Sequence, residues 1–123
     1  MQDNGSAEEQ VRKAFAALDA LDVPALTALV TDDVHTRLGN SQPVDGKAGF
    51  VKTAEGFAAS IAAVRHELHS LWAIGDAVIA EMDVHYKRHD GKELTLSCCN
   101  TFRVRDNLIA DYRVYMDINP VYA

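Results

Sequence analysis

The chain has 123 residues, 48% of them hydrophobic, a net charge of −6 and a pI near 5.2. That length fits one domain rather than two and suffices to bury roughly two-thirds of the surface an unfolded chain exposes. The acidic balance, with no basic cluster, argues against nucleic acid as a partner because its phosphates are repelled.

Residues 1–6 read as a loose leader, and Ser6 followed by Glu8 and Glu9 suits a helix start, with acids at the positive end of the dipole. The polar stretch from Met1 to Glu9 does not resemble a secretion signal, and the apolar runs are too short to span a bilayer; a reducing cytosol is the expected compartment. Val11, Phe15, Leu18 and Leu21 recur at helical spacing. Val23-Pro24 places proline in the first turn of a second, short helix through Ala25, Leu26, Leu29 and Val30, ended by Thr31-Asp32-Asp33. Val34 to Leu38 alternates as a short strand, and Gly39-Asn40-Ser41-Gln42-Pro43 is a turn-rich loop. Lys47 to Val64 reads as a third helix with Phe50, Val51, Phe57, Ile61 and Val64 on one side.

From Arg65 the helical period gives way to alternation. Arg65–Ile74, Ala77–Arg88, Glu93–Val104 and Leu108–Ile118 read as strands, joined by Gly75-Asp76, by His89-Asp90-Gly91-Lys92 and by Arg105-Asp106-Asn107. The predicted class is α+β: one domain in which three N-terminal helices cover an antiparallel meander. Cys98 and Cys99 fall on opposite faces of a strand, which disfavours a mutual disulfide. Parity puts Val78, Ala80, Met82, Val84 and Tyr86 on one side of their strand and Glu81, Asp83 and His85 on the other. In the last strand Tyr112, Val114, Met116 and Ile118 oppose Asp111, Arg113, Tyr115 and Asp117. The ionisable face suits solvent, a polar pocket or a dimer interface.

The element order, together with Thr31-Asp32-Asp33-Val34, Gly39-Asn40 with Pro43 and Gly46, Gly75-Asp76, Arg88-His89-Asp90-Gly91, Phe102-Arg103-Val104 and Ile109 to Asp117, resembles the nuclear-transport-factor-2-like (cystatin-like cone) superfamily, and within it the SnoaL-like polyketide cyclase group. The resemblance covers about Glu9 to Ala123 and implies a cone-shaped curved sheet with a pocket between its concave face and the helices. Fold alone does not fix the reaction, since such members include isomerases, cyclases, dehydratases, epoxide hydrolases and ligand binders. Steroid isomerases of this fold use a tyrosine and two aspartates; the matching positions hold Ala14, Leu38 and Cys98, which disfavours that chemistry. Members similar to limonene-epoxide hydrolases use two aspartates with an arginine between them. Asp117 and Asp83 match the aspartates, but Glu81 stands at the arginine's place, and Thr36 and Leu38 replace the water-binding pair. The SnoaL-like group implies a single late-strand acid as base, the role expected of Asp117.

The expected catalytic set is therefore Asp117 as base, Arg113 as its orienting partner, and Tyr115 with Asp83 or His85 as hydrogen-bond donors or acid; a structural Arg113–Asp117 ion pair is the alternative for the first two. Burial beside apolar helices raises a carboxyl's pKa toward neutrality, which suits a base. Phe15, Phe57 and Trp72 are expected to line an apolar cavity, with Cys98 at a pocket position and Asn40 and Gln42 on the adjoining loop. His66 and His69 have opposite parity, and with His85 or His89 they show no metal-ligand spacing. No phosphate-cradling glycine loop or dinucleotide fingerprint implies an organic cofactor. The expected ligand is a small apolar, oxygenated molecule, and the expected partner a second copy joined through the sheet. Either the domain is an enzyme of cyclase, isomerase, dehydratase or epoxide-hydrolase type, or it is a non-catalytic hydrophobic-ligand-binding or dimerisation module.

Overall fold

The computed structural model describes residues 4–123, with side chains from Ala7 onward. Helix α1 spans Asn4–Asp19, so its backbone starts before Ser6; the first half of the expected leader lies outside the described residues. Asp22 accepts from the Ala25 backbone N–H at 3.1 Å and caps the short α2 (Val23–Thr27), whose proline sits in the first turn as expected.

Strand β1 runs Val30–Leu38, four residues earlier than its alternation suggested. Thr31, expected to help end a helix, is buried, and its hydroxyl donates to Asp33 Oδ1 at 2.8 Å. The short β2 (Val44–Asp45) pairs back on β1, and α3 covers Lys47–Ser60. Helix α3 stops short of Val64 because Ile61 turns extended; Ile61 and Val64 are core residues, Val64 on the next strand. Strands β3 (Ala63–Ile74), β4 (Ala77–Lys87), β5 (Glu93–Arg105) and β6 (Leu108–Tyr115) form the expected antiparallel meander, and α4 (Asn119–Tyr122) closes the chain.

The six strands form one open, curved sheet in the order β2-β1-β6-β5-β4-β3. The pairing of β1 with β6 is parallel, with Thr36 opposite Tyr112 and Leu38 opposite Val114, which corrects the fully antiparallel expectation. A crossover of this kind connects residues distant in sequence, so local periodicity carries no signal for it. At its end Gly39 takes φ +53°, and a Cβ there would stand 2.9 Å from the Met116 carbonyl oxygen, so only glycine fits between β1 and the last strand.

The apolar faces of β4, β5 and β6 turn inward against α1, α2 and α3. Val78, Ala80, Met82, Val84, Phe102, Val104 and Ile109 are all essentially buried there. One irregularity changes the faces within β3: a bulge lies between Leu68, opposite Met82, and Ser70, opposite Glu81. His66 and Leu68 point inward before it, Leu71 and Ala73 after it, and Trp72 is turned out. No helix among the described residues is long and apolar enough to cross a membrane.

Candidate ligand cavity

A cavity of about 120 Å³ lies between the concave face of the sheet and the helices. Leu18, Leu26, Leu38, Phe50, Phe57, Val84, Val114, Met116 and Ile118 give it a mainly apolar wall. Its polar groups are His66 on β3, Tyr86 on β4, Cys98 and Asn100 on β5, Tyr112 on β6, Thr36 on β1 and Thr53 on α3. A cavity of 150 Å³ is known to take benzene, so this one is scaled to about one six-membered ring.

His66 is the one ionisable imidazole in this lining, and its side chain is only 8% exposed. Asp19, at the last residue of α1, reaches it across the helix–sheet junction: Oδ1 lies 2.6 Å from Nδ1 and also accepts the His66 backbone N–H at 3.0 Å. Desolvation holds the His66 pKa below its usual value, and the Asp19 hydrogen bond opposes this without overcoming it. The ring is therefore neutral near pH 7. Asp19 can only accept, so it fixes the proton on Nδ1 and leaves Nε2 with its lone pair for a ligand. Phe15 packs on the ring with centroids 5.1 Å apart.

Tyr86 and Tyr112 are 4% and 7% exposed, and burial, ahead of their neighbours, pushes both phenols far above the ordinary tyrosine value. They stay protonated donors at any physiological pH. Cys98 is likewise pushed up to about 12 by burial, and its thiol donates to Asn100 Oδ1 at 3.1 Å, which makes it an inert wall group rather than a nucleophile.

The five residues expected to catalyse lie elsewhere. Asp83, His85, Arg113 and Tyr115 sit on the outer face of the sheet because strand parity sends the buried set Met82, Val84, Tyr112 and Val114 inward. Asp83 takes a hydrogen bond from His69 at 3.0 Å, raising the His69 pKa. His85 bridges Glu67 at 2.7 Å and Thr95 at 2.8 Å, holding the Glu67 carboxyl below its usual range. Arg113 forks onto Asp111 at 3.0 and 3.3 Å, so the expected Arg113–Asp117 pair is replaced by a neighbour on its own strand. Asp117 lies beyond the end of β6, exposed, and accepts the Asn119 N–H at 3.0 Å to start the final helical turn. Its placement in the cavity is thus corrected, and with it the desolvation that was to make it a base.

Of the expected ligand-binding set, Phe57 and Cys98 line the cavity. Phe15 is buried just behind His66, while Asn40 lies on an exposed groove at the strand ends with Arg37, Ser41 and Asp117. Trp72 is 47% exposed, carried to the outer face by the bulge. The sequence pattern missed Asp19, His66, Tyr86, Asn100 and Tyr112 as a set. The inward parity of the two tyrosines was visible, but the approach of Asp19 to His66 was not. No group of three potential metal ligands converges among the described residues.

Known proteins resemble this arrangement in fold. The family model for the SnoaL-like domain matches residues 11–112. A candidate polyketide cyclase from Xanthomonas campestris pv. campestris superimposes with a TM-score of 0.83 at 24% identity, over 96% of each chain. A nuclear-transport-factor-2-like protein of unknown function from Burkholderia pseudomallei gives 0.85 at 16% identity, over 96% of this chain and 98% of that one. An epoxide hydrolase of the limonene-epoxide-hydrolase-like type from M. tuberculosis gives 0.82 at 19% identity, over 96% of this chain and 87% of that one. No curated protein matches the sequence.

Proposed function

The chain belongs to the SnoaL-like domain family, and on that premise we propose that it performs acid/base chemistry on a small, apolar, oxygenated molecule held in the cavity, with neutral His66 as the base. The observation that carries this reading is the Asp19–His66 pair, an oriented, desolvated imidazole at the wall of an apolar cavity. Among cyclisation, isomerisation, dehydration and epoxide opening, a lone imidazole suits the first two best, which begin with removal of a proton from carbon.

Deuterium exchange at the α-carbons of cyclohexanone in D2O, followed by NMR, tests it with a probe matched to the cavity. Wild-type protein is expected to catalyse exchange, and His66→Gln to lower the rate by about 10²–10⁴-fold with toluene binding retained. Equal exchange by both proteins removes His66 from the base role.

The outer face supports a second reading, association of two copies through the sheet. Trp72 and Tyr115, 47% and 55% exposed, lie on the outer face of the sheet, away from the cavity. Strand β5 is flanked by β4 and β3 on one side and β6 and β1 on the other. Trp72 and Arg37 share one register row, two strands to either side of β5, so a two-fold axis along β5 sets Trp72 of one copy on the Arg37 side of the other. The axis brings the two Cys99 side chains together across sheets roughly 10 Å apart. Bismaleimidoethane is expected to link wild-type chains into dimers, and Trp72→Glu to leave monomers by sedimentation. A monomeric wild type at high micromolar concentration rejects the pairing.

A further inference from the structure

Leu38, Val114, Met116 and Ile118 line both the cavity and the groove at the strand ends that carries Arg37, Asn40 and Ser41. The groove has a volume of about 750 Å³, the cavity about 120 Å³. A single apolar layer of half-buried side chains therefore separates a small inner compartment from a wide polar one.

The members of that layer differ in freedom. Leu38 and Val114 face each other in the β1–β6 pair, so the ladder fixes their backbones. Val114 and Ile118 are branched at Cβ and stiff about χ1. The Ile118 carbonyl also accepts the Val121 N–H at 3.0 Å, which ties it to α4. Met116 lies just beyond the end of β6 and has an unbranched, flexible side chain. Its backbone is nonetheless pinned on both sides. The Gly39 N–H donates to the Val114 carbonyl at 2.8 Å, Gly39 leaves no room for a Cβ against the Met116 carbonyl, and Asp117 starts the final turn directly afterwards. A mobile side chain on a fixed backbone is what a door requires. Its sulfur is held by the Tyr86 hydroxyl of β4, which donates to it at 3.5 Å, and sulfur is a weak acceptor.

We infer that Met116 is the gate between groove and cavity: its side chain limits the enclosed part of the ligand to one ring, and ligand enters and leaves past it. The Tyr86 O–H acts as the latch that keeps it closed. This rests on the cavity as the ligand site and is independent of His66 as the base.

The test is an NMR titration of the full chain with toluene, which has one ring, and naphthalene, which has two fused rings. Wild-type protein is expected to bind toluene and to discriminate against naphthalene. Met116→Ala joins the two compartments and is expected to raise the affinity for naphthalene relative to toluene by at least about 10-fold. Tyr86→Phe keeps the ring and removes the latch alone. Association and dissociation of toluene are then expected to quicken together by about 2–10-fold, with affinity within about twofold of wild type. A wall residue without a gating role shifts the affinity instead of moving both rates in step. With toluene bound by the wild type, unchanged discrimination in Met116→Ala or unchanged rates in Tyr86→Phe overturns the gate and leaves the cavity reading standing. If circular dichroism shows Met116→Ala unfolded, the Tyr86→Phe rates decide alone. Failure of the wild type to bind toluene overturns the cavity as the ligand site, and the gate with it.

Discussion

Phe102→Ala is expected to cost about 3–5 kcal/mol, with a fall in Tm on the order of 10–20 °C. Phe102 is 1% exposed on the inner face of β5, edge-on to Phe15 at 5.7 Å and tilted against Tyr112 at 4.6 Å. It therefore links helix α1 to the inner face of β6. Truncation removes its transfer energy and two ring contacts, and the rigid sheet behind it restricts collapse of the space left. Urea unfolding monitored by circular dichroism measures the loss. Thr101→Ala, one residue away but on the outer face, provides the comparison and is expected within about 0.5 kcal/mol of wild type. Similar losses for the two substitutions exclude Phe102 as the link between layers.

The second large effect concerns Asp19 and pH. Asp19→Asn keeps an acceptor for Nδ1–H but removes the charge that supports the imidazole and allows the amide to present a donor instead, so the Nε2 lone pair is no longer guaranteed. Cyclohexanone exchange is expected to fall by at least about 10²-fold, and the His66 titration, followed by ¹⁵N NMR, to move further down. The same desolvation makes stability depend on pH with a definite sign. The unfolded imidazole titrates near its usual value of about 6.5, and the folded one lower, so between those values the unfolded chain binds more protons. Stability from this source is complete above about pH 6.5 and is lost as pH falls toward the folded value. His69, raised by Asp83, contributes in the opposite direction but is exposed and weak. The difference between wild type and His66→Gln isolates the His66 contribution, and an unchanged pH slope on losing His66 contradicts it.

The sequence alone went far toward the architecture. Alternation in 77–88, 93–104 and 108–118 identified three strands and assigned their inward sets, because a period of two cannot put Val84 and Asp83 on one face. The two tight turns followed from Asp-Gly and Asp-Asn. What was not legible depends on partners distant in the chain. The parallel β1–β6 pairing brings Leu38 to Val114, and the Asp19–His66 bond joins residues 47 positions apart. Asp19 itself reads as an ordinary acid at a helix end. The alternation of 108–118 carries the last strand past Asp117; here β6 ends at Tyr115, and Pro120 with the Asp117–Asn119 turn takes the chain away from the sheet.

The extra residue in β3 divides one strand between two tasks. Had the alternation from His66 continued unbroken, Trp72 would fall on the same side as the imidazole, and its indole would occupy space beside the helices. The slip of one position works as a phase change: the first half of the strand is tuned to chemistry in the interior, and the second presents an aromatic handle to the surroundings. The two halves can consequently vary under separate constraints, and a deletion of one residue there would turn the second half over, swinging Trp72 to the inner side while His66 keeps its place.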